Sequence, residues 1–139
     1  MKKVLVGVDG SLESQFAADR AAEIARAMGA ELTVACVVAA PSLVPFESQE
    51  VLRREIQERL EARALLRSLS SRYLGEGTKV DTVMASGSPA ETLADLAATP
   101  EIRLVVVGRR QRGRLARILF RGIADRLTQI SPKPVLVAR

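Results

Sequence analysis

Short apolar runs alternate with longer helical patterns along the whole of this chain. Five runs have the length and the aliphatic content of strands, at residues 3–9, 31–38, 79–85, 104–108 and 135–138. Between them, apolar residues recur at three- and four-residue spacing in four segments, at 12–28, 49–73, 90–98 and about 122–130. Strict alternation of this kind predicts an α/β fold: one doubly wound parallel sheet with helices on both of its faces.

Local signals mark the ends of the predicted helices. Ser11 is a candidate N-cap of the first helix, and Gly29 stands at the position of its C-terminal cap. Ser88 and Pro89 give the third helix an N-cap serine and a proline in its first turn. Residues 39–48, which include two prolines, form the longest irregular segment, and a segment of this length is a candidate lid.

The second predicted helix, 49–73, carries charges of alternating sign. Its acidic and basic residues stand at i,i+4 spacing, as in Glu50 and Arg54, which favours a solvent-exposed face. Its apolar residues recur on the opposite stripe, at Leu52, Ile56 and Leu60. The pattern predicts a half-exposed amphipathic helix.

The length of 139 residues and the 47% content of apolar residues fit a single domain, expected to span residues 1–139. Apolar runs fall far short of the ~20 residues that cross a bilayer. Met1 and two lysines lead directly into the first strand pattern, without the apolar core of a signal peptide. We therefore expect a cytoplasmic protein with no membrane partner.

The sequence contains no histidine and one cysteine, Cys36. This composition excludes an intramolecular disulfide, a Ser-His-Asp triad, cysteine-histidine catalysis and a histidine-ligated metal. No carboxylates are paired at catalytic spacing. We expect no catalytic residue, no metal site and no enzyme activity.

The net charge of +5 favours an anionic partner. Six of the arginines lie between Arg109 and Arg121, so the stretch is either an anion site or a solvated basic face. Aromatic residues make up only 3% of the chain, too few for the stacking surfaces that bind single-stranded nucleic acid. We therefore expect no nucleic acid partner, and a phosphorylated or acidic protein is an alternative.

The run of four branched aliphatics at 104–107 ends in a glycine and predicts a strand buried on both faces. Open α/β sheets hold their ligands at the carboxyl ends of the strands, where the order of winding reverses. If the first and fourth strands are neighbours, the crevice is lined by Gly7, Val8, Asp9, Val107 and Gly108. The carboxylate of Asp9 can serve a ligand or form the following turn, and the two roles are compatible.

Three segments together resemble the universal stress proteins in order and spacing: VLVGVDGS at 4–11, ASGSPAETLADLA at 85–97, and VVVGRR at 105–110 with SPKPVLVAR at 131–139. The resemblance covers nearly the whole chain, and its first and last segments are the specific ones. It implies a five-stranded sheet of order 3-2-1-4-5, an adenine nucleotide alpha hydrolase-like fold. It also implies an ATP or AMP site in many members and homodimers paired through the last strand.

By this resemblance, Asp9 contacts a nucleoside and Val38 or its neighbours flank the base. Nucleotide-binding members show G-x2-G-x9-G-[ST], in which glycines let backbone approach the phosphates. The same count from Gly108 gives Gln111, Arg121 and Gly122. Only the first of the three glycines is in place, and the hydroxyl is missing.

Two interpretations of this change are open. Gln111 and Arg121 fill the volume of the phosphates, or the guanidinium of Arg121 replaces the lost backbone contacts with charge-assisted bonds. We favour the first, because added charge does not remove a steric objection. No cofactor is then expected, although ATP or AMP is possible.

The favoured hypothesis is a non-catalytic universal stress protein that acts as a homodimer in stress response with an altered nucleotide site. The first alternative is an ATP or AMP switch that uses Asp9, Gly108 and Arg121, and the second is an anion- or RNA-binding module through residues 109–121. The dimer interface is expected at the last strand, which ends the chain as an uncovered edge. Its residues are Val135, Leu136, Val137 and Ala138.

Overall fold

The structure is a computed structural model and describes residues 1–41, 48–109 and 122–139. Five strands alternate with four helices in these ranges. The elements are β1 (Lys3–Val8), α1 (Leu12–Met28), β2 (Glu31–Val38), α2 (Gln49–Gly75), β3 (Val80–Ser86), α3 (Pro89–Ala97), β4 (Ile102–Gly108), α4 (Ile123–Ile130) and β5 (Val135–Ala138).

The five strands form one parallel sheet in the order β3-β2-β1-β4-β5. The predicted fold class and strand order are therefore confirmed. Val6 of β1 lies between Val34 of β2 and Val106 of β4, at the centre of the sheet. The winding reverses between β1 and β4, so the carboxyl ends of these two strands flank the switch point.

The hydrophobic core consists of two layers, one on each face of the sheet. Helices α1 and α2 cover one layer, and α3 and α4 cover the other. Successive strand residues alternate between the layers because strand side chains point to opposite faces. The first layer holds Val4, Val6, Val34, Cys36, Val38 and Val106, and the second holds Leu5, Ala35, Val37, Val105 and Val107.

Helix α1 begins and ends at the residues that the sequence predicts. The Ser11 hydroxyl accepts a hydrogen bond from the Ser14 N–H at 3.1 Å, and Gly29 adopts the left-handed conformation of a C-terminal cap, with φ of 64°. The buried side of the helix consists almost entirely of alanine, at Ala17, Ala18, Ala21, Ala22 and Ala25. These small side chains let the helix axis lie close to the sheet.

The apolar stripe predicted for α2 is not the buried side of this helix. Leu52, Ile56 and Leu60 are exposed, and the buried residues begin only at position 62, with Ala62, Leu66, Leu69 and Tyr73. The predicted pair Glu50–Arg54 forms, with 3.0 Å between its charged atoms. Glu55 and Arg59 have the same i,i+4 spacing, but there the arginine donates to the backbone carbonyl of Glu55.

The reason lies in where α2 passes the end of the sheet. The carboxylate of Glu58 accepts from the N–H of Ala39 at 2.7 Å, and Arg59 donates to the Ala39 carbonyl at 3.3 Å. Ala39 directly follows β2, so the helix residues before 58 extend past the carboxyl edge of the sheet. At 1.5 Å per residue this overhang is about 14 Å long, and Leu52 and Ile56, which lie on it, have no sheet beneath them.

The C-terminal half of α2 is anchored by a buried tyrosine. The Tyr73 hydroxyl donates to Oδ1 of Asp19 on α1 at 2.7 Å, and Arg72 lies 3.3 Å from the same oxygen. Burial and the Asp19 carboxylate raise the pKa of Tyr73 well above its usual range. The hydroxyl therefore remains a proton donor throughout the neutral range.

Several element ends differ from the predicted ones by one or two residues. Helix α4 begins at Ile123, with Gly122 as its N-cap, and Ser88 caps α3 without a side-chain hydrogen bond. β3 is an edge strand, as its polar composition predicts. Residues 42–47 of the candidate lid lie outside the described residues.

The turn between α3 and β4 is joined to the start of β5 by a lysine. Lys133 donates from Nζ to the carbonyl oxygens of Thr99 and Ile102, at 3.0 and 2.6 Å.

Among the helices of the described ranges, none is long and apolar enough to cross a membrane.

Candidate functional site

Hydrogen bonds among Asp9, Ser11 and Ser14 form the turn after β1. Oδ1 of Asp9 accepts from the N–H of Ser11 at 2.9 Å and from its hydroxyl at 2.6 Å. The Ser14 hydroxyl donates to the Ser11 carbonyl at 3.0 Å and accepts from the Asp9 N–H at 3.2 Å. All three side chains are buried. The structure therefore shows Asp9 in its turn-forming role, which fixes the start of α1.

A narrow cleft lies beside this turn, on the α3 and α4 side of the sheet. Its volume is about 20 Å³, enough for a water molecule and much less than a nucleotide base needs. Leu93 of α3 narrows it, because a Cβ at Gly7 would lie only 2.8 Å from the Leu93 Cδ1 atom. The other lining residues are Val8, Asp9, Ala35, Val37, Pro89 and Ile123.

The predicted site residues are divided between the two faces of the sheet. Gly7, Val8 and Asp9 line the cleft, as expected. Val38 does not line it, because its side chain is buried in the layer under α1 and α2. The side chain of its neighbour Val37 points to the opposite face of the sheet and lines the cleft. Val107 is buried under α3 and α4.

Gly108 is required by the packing of α1. A Cβ at this position would lie 2.7 Å from the Glu13 carbonyl oxygen and 2.8 Å from its carbonyl carbon. Real Cβ atoms essentially never approach other atoms within 3.0 Å, and the obstacle here is backbone. The glycine that ends β4 therefore has a structural reason that needs no ligand.

The described part of the predicted phosphate region begins again at Gly122. This residue has φ of 78°, a left-handed conformation, and it provides no side-chain hydrogen bond to the first turn of α4. The backbone conformation favours glycine at this position. Packing does not require it, since a Cβ there would meet no atom within 4 Å. Gln111 and Arg121 lie outside the described residues.

Arg109 is the described member of the predicted basic face. Its backbone N–H donates to the Ala138 carbonyl at 3.1 Å, which joins the end of β4 to the end of β5. Its side chain borders an open hollow of about 570 Å³ together with Leu12, Phe16 and Arg139. The rest of the face, to Arg121, lies outside the described residues.

The cysteine is not a nucleophile at neutral pH. Cys36 is fully buried, and burial raises the pKa of its thiol to about 12, with smaller contributions from Asp9 and Glu58. A thiolate is the reactive form, and it is absent at such a pKa. In the described ranges, no group of three or more Cys, Asp or Glu side chains is placed to hold a metal ion.

Sequence reasoning did not single out three residues that shape the site: Ser14, Val37 and Leu93. For Ser14 a signal was present, because Ser11 and Ser14 have the three-residue spacing of reciprocal caps at a helix start. For Val37 and Leu93 no local signal exists. The strand register and the packing of α3 on the sheet determine which side chain reaches the cleft.

Comparisons with known proteins agree on one family. A model of the universal stress protein family matches residues 1–139. Universal stress protein YxiE of Bacillus subtilis is 29% identical, over 99% of this chain and 98% of that protein. Universal stress protein UspA from Lactobacillus plantarum superposes with a TM-score of 0.86 at 26% identity, over 99% and 97% of the two chains. A universal stress protein solved in complex with cAMP gives a TM-score of 0.75 at 28% identity, over 99% and 97%.

Proposed function

The chain belongs to the universal stress protein family, and on that premise we propose that it is a non-catalytic stress-response protein with an altered nucleotide site. The observation that carries the proposal is the loss of two phosphate-binding glycines, since Gln111 and Arg121 stand at their positions. A side chain there occupies space that the backbone must leave open for phosphate oxygens. ATP is therefore expected to bind weakly or not at all.

The nucleoside end of the site gives further support. Asp9 already accepts two hydrogen bonds from Ser11, and a ligand hydroxyl would have to share the carboxylate with them. The cleft beside Asp9 is narrowed by Leu93, so a base would have to displace that side chain. The narrow cleft therefore weakens binding of a nucleoside to the described part of the site.

The test is a titration calorimetry experiment with ATP on the unaltered protein and on a restored variant. The variant Gln111→Gly/Arg121→Gly returns both missing glycines. We expect ATP affinity to rise at least about tenfold, or 1.4 kcal/mol, because the backbone can then approach the phosphates. The change Gly122→Ser is added only in a second step, since serine in the left-handed conformation at 122 costs about 1 kcal/mol.

A matched control, Arg110→Gly/Arg114→Gly, adds two glycines to the same stretch away from the pattern. Its ATP affinity should equal that of the unaltered protein. The proposal fails if the unaltered protein binds ATP in the low micromolar range, about −8 kcal/mol. It also fails if the restored variant binds no better than this control.

A second candidate is a mononucleotide switch, favoured by the relative solved in complex with cAMP. AMP and cAMP carry one phosphate each and do not need the full triphosphate cradle. Asp9, Gly108 and Arg121 would then form the site, with the Arg121 guanidinium on the single phosphate. Binding of AMP or cAMP without ATP, in the same calorimetry series, would favour this candidate.

We also propose that the protein is a homodimer joined through β5. Among the strands that the structure describes, β5 pairs with β4 alone and forms one edge of the sheet. Leu136 is 39% exposed, and Leu12 and Phe16 at the start of α1 are exposed as well. Antiparallel pairing of two copies of β5 would satisfy the open ladder and cover apolar surface.

Light scattering on Leu136→Asp tests this interface. Leu136 is the exposed residue of β5, whereas Val137 packs against the core, so Val137→Asp would also damage the fold. Leu74→Asp is the matched control, because Leu74 is exposed on the last turn of α2. We expect only Leu136→Asp to give a monomer. A monomeric mass for the unaltered protein at on the order of tens of micromolar would contradict the proposal.

A further inference from the structure

The free edge of β3 lies opposite to the β5 edge and is longer. β3 has seven residues, and within the described ranges it pairs with β2 alone. The N–H of Leu32 donates to the Lys79 carbonyl at 2.8 Å, and Leu32 is in register with Val80. Alternate β3 residues therefore point their backbone groups away from β2, at Val80, Thr82, Met84 and Ser86. β3 contains no proline, and its one charged side chain, Asp81, is paired with Lys3 and Thr33, so the outward groups of its ladder can pair with another chain.

An open groove of about 390 Å³ runs between this edge and α2. Thr82 and Met84 line it from the strand, two residues apart and hence on the same face. Arg63, Arg67, Ser70 and Ser71 line it from the helix. The volume is in the range of sites that bind ligands, and most of the side chains that line it are polar or positively charged.

The two arginines of the groove lack the partners that three other arginines of this helix have. Arg54, Arg59 and Arg72 are each held by a carboxylate or a carbonyl group. Arg63 and Arg67 make no ion pair or hydrogen bond with any part of the chain that the structure describes. Like charges four residues apart on a helix destabilise it. An anion between them would turn this repulsion into attraction.

The spacing of the arginines fits an added strand. Four residues of helix advance about 6.0 Å, and two residues of strand advance about 6.6 Å. Acidic side chains at alternate positions of a strand beside β3 would therefore lie opposite Arg63 and Arg67. A second copy of β3 would instead bring two arginine pairs together, so its charge is wrong.

We propose that this edge binds an extended peptide with acidic side chains at alternate positions, which adds a sixth strand to the sheet. The peptide backbone pairs with the outward groups of Thr82 and Met84, and its two carboxylates bind Arg63 and Arg67. This surface is separate from the nucleotide cleft and from β5. Binding there is independent of the outcome for either of those sites.

The test uses fluorescence anisotropy with a labelled peptide, TVEVEVT. A peptide of the same composition, TVVEEVT, places its two glutamates on opposite faces of a strand. The variant Arg63→Gln/Arg67→Gln is compared with Arg53→Gln/Arg103→Gln, which removes the same charge from exposed positions outside the groove. We expect the groove variant to bind TVEVEVT about tenfold more weakly, and the control variant to bind it like the unaltered protein.

The role of the strand edge is tested on the peptide rather than on the protein. Two forms of TVEVEVT carry N-methyl groups on alternate residues, one form on the odd and the other on the even positions. Only one set of N–H groups can face β3, so one form should lose binding and the other keep it. The proposal is overturned if both forms bind like the parent peptide, or if TVVEEVT binds equally well. Preference for a single-stranded RNA over the peptide would also overturn it.

Discussion

The substitution Gly108→Ala separates a packing role of this glycine from a ligand role. A Cβ at 108 would lie 2.7 Å from the Glu13 carbonyl oxygen, so the atoms must separate by 0.3 Å to reach 3.0 Å and by 0.7 Å to reach 3.4 Å. Glu13 belongs to the first turn of α1, which the Asp9–Ser11–Ser14 hydrogen bonds hold at 2.6–3.2 Å. The first turn cannot move by that distance without lengthening these bonds.

The expected loss of stability follows from two contributions. Overpacking a close-packed position costs about 1–3 kcal/mol, and a weakened N-terminal cap costs about 1 kcal/mol. We expect the free energy of unfolding to fall by about 2–3 kcal/mol, and the melting temperature by about 7–10 °C. Urea unfolding followed by circular dichroism measures the first, and a thermal melt measures the second.

Two other glycines provide the controls. A Cβ at Gly7 would meet the flexible end of Leu93, which can rotate, so Gly7→Ala should cost about 1 kcal/mol or less. A Cβ at Gly75 would meet no atom within 4 Å, so Gly75→Ala at the end of α2 should be neutral or slightly stabilising. If Gly108→Ala is within about 0.5 kcal/mol of the unaltered protein, the packing argument is refuted.

Three further predictions concern polar groups in or beside the core. Tyr73→Phe should lower the free energy of unfolding by about 1 kcal/mol, measured in urea, because it removes the hydrogen bond from the tyrosine hydroxyl to Asp19 while Gln15 and Arg72 still contact the same oxygen. Cys36 should react with Ellman's reagent only after unfolding. Its raised pKa predicts that the stability present below pH 9 is lost as the pH rises toward 12, and a Cys36→Ala variant should lose less over that window. Lys133→Met should cost about 1–2 kcal/mol in the same urea assay, since two carbonyl oxygens after α3 lose a charged donor, and an unchanged midpoint would contradict this.

The fold could be predicted from the sequence because its signals are local. Ser11 and Gly29 mark the ends of α1 through hydrogen bonds and dihedral angles within a few residues. The alternation of strand and helix patterns limits the topology, and the family resemblance then specifies the strand order. The turn formed by Asp9 is equally local, since its partner Ser11 is two residues away.

The remaining features depend on distances that no short segment contains. Periodicity places Leu52, Ile56 and Leu60 on one stripe of α2, but it does not tell where the sheet beneath the helix ends. The choice between Val37 and Val38 depends on the register of β2 with its neighbours. The contact that explains Gly108 joins residues 13 and 108, which only the tertiary fold brings together.

The contact between Gly108 and Glu13 also affects how signature motifs should be scored across this family. In a protein with this geometry, natural selection for stability alone would retain the first glycine of G-x2-G-x9-G-[ST] after ATP binding had been lost. At the next two glycine positions of the pattern, 111 and 121, this chain has glutamine and arginine. Presence of the first glycine is therefore no diagnostic for nucleotide binding in a genome survey, whereas the positions equivalent to 111, 121 and 122 carry the information.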